Sequence, residues 1–166
     1  MKNVIVFALD QRLLAVELRW VREMFTLGYV TPIPSAPSLI DGVANLRGAI
    51  TPIIDLNSVL DEQQAAQEAV PEAGNGSVMP TARRGDGAVL LEVESLVAAF
   101  RVSNVEEVST LSEAPVTDAN GPVVLIDSRG RDVQLIDPRQ IIARALSACD
   151  DARGLQSGPG GGAHVQ

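Results

Sequence analysis

Short apolar runs organise this chain. Residues 4–9, 13–18, 49–56, 88–93, 96–102, 123–126 and 133–136 are mostly aliphatic and often β-branched, and each reads as a strand. Two segments follow a different rhythm. Residues 61–70, rich in Gln, Ala and Glu, predict a helix. Residues 138–149 predict another. Pro138 suits a first helical turn, and Ile141, Ile142, Ala145, Leu146 and Cys149 recur at helical spacing. Residues 71–87 carry Pro71, Gly74, Gly76, Pro80, Gly85 and Gly87, which completes a linker over 61–87. Residues 150–166, with Gly158, Gly160, Gly161 and Gly162, predict a disordered tail.

The strand pattern repeats. Shifted by 84 positions, Val4-Ile5-Val6-Phe7-Ala8-Leu9 falls on Ala88-Val89-Leu90-Leu91-Glu92-Val93, and Val21-Arg22-Glu23-Met24 falls on Val105-Glu106-Glu107-Val108. Shifted by 82, Arg47-Gly48 falls on Arg129-Gly130, and Ile53-Ile54-Asp55 on Leu135-Ile136-Asp137. Each copy runs strand, turn, strand, a V-x-E element, then R-G and an apolar strand ending in Asp. The Gly suits a turn needing positive φ. Asp55 and Asp137 sit where a strand gives way to a helix, so each suits a helix cap. Copies of about 60 residues are the size of small five-stranded barrels that share a core. The expected architecture is mainly β: a first barrel at about 4–60, a second at about 88–137, a short linker helix, and a C-terminal helix at 138–149. Residues 1–149 form the expected domain.

Composition removes several functions. The formal charge is −8, from 13 basic and 21 acidic residues, which opposes a surface that reads nucleic-acid phosphates or docks on anionic lipid. The only histidine is His164 and the only cysteine Cys149, so neither a histidine triad nor a Cys/His metal centre can be built within the chain. The apolar run at 4–9 is too short for a leader or a membrane span, so the cytoplasm is the expected compartment.

Residues 39–56, Leu-Ile-Asp-Gly-Val-Ala-Asn-Leu-Arg-Gly-Ala-Ile-Thr-Pro-Ile-Ile-Asp-Leu, closely resemble the signature of the CheW-like coupling proteins of bacterial chemotaxis. Residues 14–34, with Val21-Arg22-Glu23-Met24 and the Pro32-Ile33-Pro34 connection, are similar too. The resemblance is weaker over 88–146. There Ser103 stands where the family usually has Asp, and Pro122-Val123-Val124 where it usually has Gly. The resemblance implies two SH3-like five-stranded barrels about one core, no catalysis and no cofactor. It also implies a cytoplasmic adaptor that bridges a methyl-accepting chemoreceptor tip and the regulatory domain of a CheA-type histidine kinase. A groove between the barrels would take the receptor's helical hairpin. Val21, Glu23 and Arg47 match positions linked to this coupling, and Met24 and Val105 are further groove candidates.

Each candidate also has a plain structural reading. Arg47 can be a solvated turn residue or a planar fork for a carboxylate, whether Glu23 or a partner's. Arg129 and Glu107 echo that pair in the second copy. Trp20 can pack in the core or anchor an interface. Asp55 and Asp137 could form an acid–base dyad, but the cap reading accounts for both. A stand-alone barrel module that binds a peptide or small ligand is the alternative to the coupling role.

Overall fold

The computed structural model describes residues 1–67, 85–114 and 122–156. The tail at 157–166 and most of the expected linker, 68–84, lie outside the described residues. Strands β1 (Lys2–Leu9) and β2 (Arg12–Glu17) form a hairpin, followed by one 3₁₀ turn, Leu18–Trp20. Next come β3 (Val21–Thr26), β4 (Ile40–Leu46), β5 (Ala49–Ile54) and helix α1 (Leu56–Gln67). The second copy supplies β6 (Gly87–Val93), β7 (Leu96–Val102), β8 (Asn104–Glu113), β9 (Val124–Ile126), β10 (Asp132–Ile136) and helix α2 (Pro138–Gln156).

The ten strands make two five-stranded sheets, as expected, but the sheets are not the two halves of the chain. One is a closed barrel in the order β1-β2-β10-β9-β8, and the other runs β3-β6-β7-β5-β4. The first hairpin of each copy therefore pairs with the last three strands of the other copy. This corrects the expected barrels at 4–60 and 88–137. The physical reason lies in the hairpins, which are apolar on both faces. Val4, Val6 and Ala15 fill the barrel, while Ile5, Phe7, Leu9, Leu14 and Val16 face the core shared by the sheets. In the same way Ala88 and Ala99 fill the second sheet, while Val89, Leu91, Val93, Phe100 and Val102 face the shared core. A strand buried on both faces reads as a continuous apolar run. That is why 4–9 and 88–93 do not alternate.

The second sheet closes less completely than the first. β8 pairs with β9, but β3 does not pair with β4. Among the described residues a single bridge, Thr31↔Val43, joins β4 to the chain beyond β3 through two hydrogen bonds of 2.8 and 2.9 Å. Gly42 makes that approach possible. Its φ is +150°, and a Cβ there would lie 2.3 Å from the Thr31 carbonyl oxygen.

Both helices start at the expected aspartates. Asp55 accepts from the Asn57 N–H at 3.1 Å and the Ser58 hydroxyl at 2.9 Å. Asp137 accepts from the Arg139 N–H at 3.0 Å. The cap moves the start of α1 to Leu56, ahead of the expected 61. It also lets Leu56, Val59 and Leu60 bury in the shared core. Helix α2 runs on to Gln156, past the expected end at 149 and into the segment expected to be disordered. Ile141, Ile142 and Ala145 bury on its inner face.

Candidate functional site

The β4–β5 hairpin turns on two residues, Arg47 and Gly48, between the paired Leu46 and Ala49. Their φ values are +51° and +86°, the two positive angles of a primed turn that matches strand twist. The Asn45 side chain accepts from the Gly48 N–H at 2.8 Å and steadies the turn. Glycine was expected at positive φ, but the structure gives Arg47 the same conformation. This aims its side chain off the tip, where it is 83% exposed and meets Glu23 of β3 at 2.7 Å. Arg47 and Glu23, 24 residues apart, are thus brought together across the seam that β3 and β4 leave open.

The other expected site residues separate from this pair. Along β3 exposure alternates, so Glu23 shares a face with Phe25 while Met24 lies on the opposite, outer face with Arg22 and Thr26. Met24 is 45% exposed. Val21 and Val105, equivalent by the repeat, are both partly buried and packed against the shared core. Two exposed apolar side chains lie near the seam. Ile50 is 68% exposed two residues past Gly48, and Tyr29 is 80% exposed in the connection after β3. Ile50 shares a strand face with Pro52 and the buried Ile54, so the alternation of β5 gives no signal of its exposure.

The echo of this pair in the second copy is corrected. Arg129 and Glu107 do not carry it; Arg131 bonds Glu106 at 2.8 Å and Asp127 at 2.6 Å. The β9–β10 turn is longer than Arg47-Gly48, and the buried Asp127 carboxylate organises it. That carboxylate accepts from the N–H groups of Arg129 and Arg131, each at 2.8 Å. Hydrogen bonding from the Arg131 backbone, aided by its guanidinium and against burial, holds the Asp127 carboxyl below its ordinary value. Asp137 is likewise lowered, chiefly by the Arg139 guanidinium, which grips it at 2.7 Å. Asp55 and Asp137 thus serve two separate helix starts and do not form a dyad.

Trp20 is partly buried against the shared core, with the Arg19 and Arg139 guanidinium carbons 4.8 and 5.6 Å from its ring centre. Ser103 accepts from the Asp10 N–H at 3.0 Å, so it ties the β1–β2 turn to the β7–β8 corner. Among the described residues no helix is long and apolar enough to cross a membrane.

The model of the CheW-like domain matches residues 3–146, nearly the whole described fold. The chain belongs to the CheW-like family. The chemotaxis protein CheW of Rhizobium meliloti is 29% identical over 115 residues, 69% of this chain and 64% of that protein. Its counterpart in Treponema pallidum is 32% identical over 77 residues, 46% of this chain and 45% of that protein. The aligned stretches thus span less than two thirds of these relatives. The scaffolding protein TtCheW from Thermoanaerobacter tengcongensis shares the fold, with a TM-score of 0.55 over 82% of this chain and 88% of that one, at 21% identity. The CheW-like signature at 39–56 contributes the β4–β5 hairpin, its Arg47-Gly48 turn and the Asp55 cap.

Proposed function

We propose that this CheW-like chain is a non-catalytic scaffold in a chemotaxis-type pathway. It holds a chemoreceptor's cytoplasmic tip and the regulatory domain of a CheA-type histidine kinase in one geometry. The observation that carries this reading is the exposed Arg47–Glu23 pair at the seam of the second sheet, with Ile50 exposed on the same hairpin. An arginine beside exposed apolar side chains is the composition of a binding hot spot, whereas an isolated surface ion pair adds at most about 1 kcal/mol to the fold. A scaffold transmits only if its contacts differ between the receptor's states, so the partners must bind with coupled affinities.

The test is titration of the purified chain with a receptor-tip fragment and with a kinase regulatory domain, singly and together. Binding of both, each altering the affinity of the other, is the expected result. Binding of neither overturns the reading, and binding of an unrelated peptide instead would support a stand-alone module. Arg47→Ala is expected to weaken partner binding while the melting temperature holds.

A further inference from the structure

Arg101 of β7 occupies the repeat position of Glu17. In the first copy Lys2 lies 3.3 Å from Glu17; in the second, Asp86 lies 3.7 Å from Arg101. The registers match, with Val4 opposite Glu17 and Ala88 opposite Arg101, so the same cross-strand pair appears with its charges exchanged. In the first copy the cation, Lys2, is shared with Glu113 at 3.4 Å near the surface; in the second copy the cation is buried. There the cation also lies 3.6 Å from Asp41 and 3.4 Å from Asp55. Its side chain is 9% exposed, and those of Asp41 and Asp55 are 1% and 6%. These separations exceed the roughly 2.7–2.9 Å of a strong charged hydrogen bond. Arg101 therefore acts as a counter-charge shared by several carboxylates rather than a fork closed on one.

Asp41 is the second residue of β4 and Asp55 follows β5, so both ends of the β4–β5 hairpin meet at Arg101. The rest of the hairpin is sparsely paired, although Ala44 and Ile53 pack in the second sheet and Arg47 meets Glu23 at the tip. Among the described residues β5 pairs with β7 at Ile53↔Ala99 and Ile54↔Phe100, and β4 is bridged outward at Val43. Arg47 lies six residues beyond Asp41, about 20 Å along an extended strand. A small rotation at the base is thus a large displacement at the tip. We propose that Arg101 is a positioning residue: from the other half of the repeat it sets the aim of the hairpin that presents Arg47 and Ile50 to a partner. The proposal rests on the reading above that this tip meets a partner.

The deciding variant is Arg101→Lys, which keeps the charge but loses the planar reach across the carboxylates. Amide exchange of the full chain is the first readout. Gly48 and Thr51 are expected to exchange about tenfold faster, with Leu125 and Val133 of the closed barrel unchanged. Equal acceleration in both sheets, or none, overturns the proposal. Should Arg101→Lys not fold, Asp41→Asn removes one arm alone and is held to the same pattern. Partner titration is the second readout. Arg101→Lys is expected to weaken binding roughly fivefold or more, and to add less than about twofold in an Arg47→Ala background. Full additivity overturns the proposal. Wild-type chain that binds neither partner overturns the scaffold reading instead, and the exchange experiment still decides whether Arg101 aims the hairpin.

Discussion

The two copies of the repeat differ most where they look most alike. Both place R-G before an apolar strand. In the first copy that dipeptide is the whole turn, and Arg47 projects into solvent beside Glu23. In the second copy the turn is longer and wraps a buried Asp127, so Arg129 contributes a backbone N–H while Arg131 makes the ion pairs. The first is a presented side chain; the second is a self-satisfied loop. The cross-strand pairs differ in the same spirit. Lys2–Glu17 lies near the surface, whereas Arg101 is buried among carboxylates. A repeat thus preserves strand order and register, while turn length and the sign of a charge assign each copy its task.

The largest test of this contrast is a pair of leucine substitutions at equivalent positions. Arg101→Leu is expected to cost about 3–5 kcal/mol in denaturant unfolding, since it removes a buried cation from its carboxylates. Glu17→Leu is expected to cost no more than about 1 kcal/mol. Equal losses would show that burial does not distinguish the two sites.

Glycine substitutions separate the seam from the turn. Gly42→Ala sets a Cβ against the Thr31 carbonyl at 2.3 Å and is expected to cost about 3 kcal/mol, with loss of the Thr31–Val43 bridge by amide exchange. Gly48→Ala meets nothing within 4 Å and carries only the strain of positive φ, about 1–2 kcal/mol.

Smaller again is the effect of acid on the second turn. The Asp127 carboxyl lies below its ordinary 3.8 in the folded chain, so its charged form favours folding. Its contribution is complete above that value and is lost as pH falls through it toward the lowered folded value. Asp127→Asn is therefore expected to destabilise the chain at neutral pH and to converge on the wild type in acid. A gap that stayed constant across the pH range would remove this account. Arg47→Ala has the smallest effect on stability, within about 1 kcal/mol, and a larger one on partner binding, about tenfold or more. A clear fall in melting temperature would make Arg47 a structural residue like Arg131.

Much of the fold was readable. The apolar runs locate seven of the ten described strands, and the paired I-D positions mark both helix caps. Strands β3, β4 and β8 lie where apolar and polar positions mix, so no continuous run announced them. Asp55 was legible as a cap, yet the helix expected at 61 starts at Leu56, because the cap acts at once and Leu56, Val59 and Leu60 have a core to enter. Of the candidate site, Arg47 is legible from the signature at 39–56 and Glu23 from the V-x-E element, and the planar fork of Arg47 suits their meeting. Met24 is a further groove candidate by sequence, but a strand of period two sends it to the face opposite Glu23. Arg101 gave no signal, because its significance depends on carboxylates 46 and 60 residues away in sequence.

Sequence alone determined the β class, the duplication, the turn at Arg47-Gly48 and the capping aspartates, because each rests on local preferences of a few neighbouring residues. Only the tertiary structure decided that the copies exchange their first hairpins, that one sheet closes and the other leaves a seam, and that a charge exchanged between equivalent positions becomes a buried anchor. Those outcomes depend on which faces are covered when distant strands meet, and burial is a property of the assembled fold rather than of any segment within it.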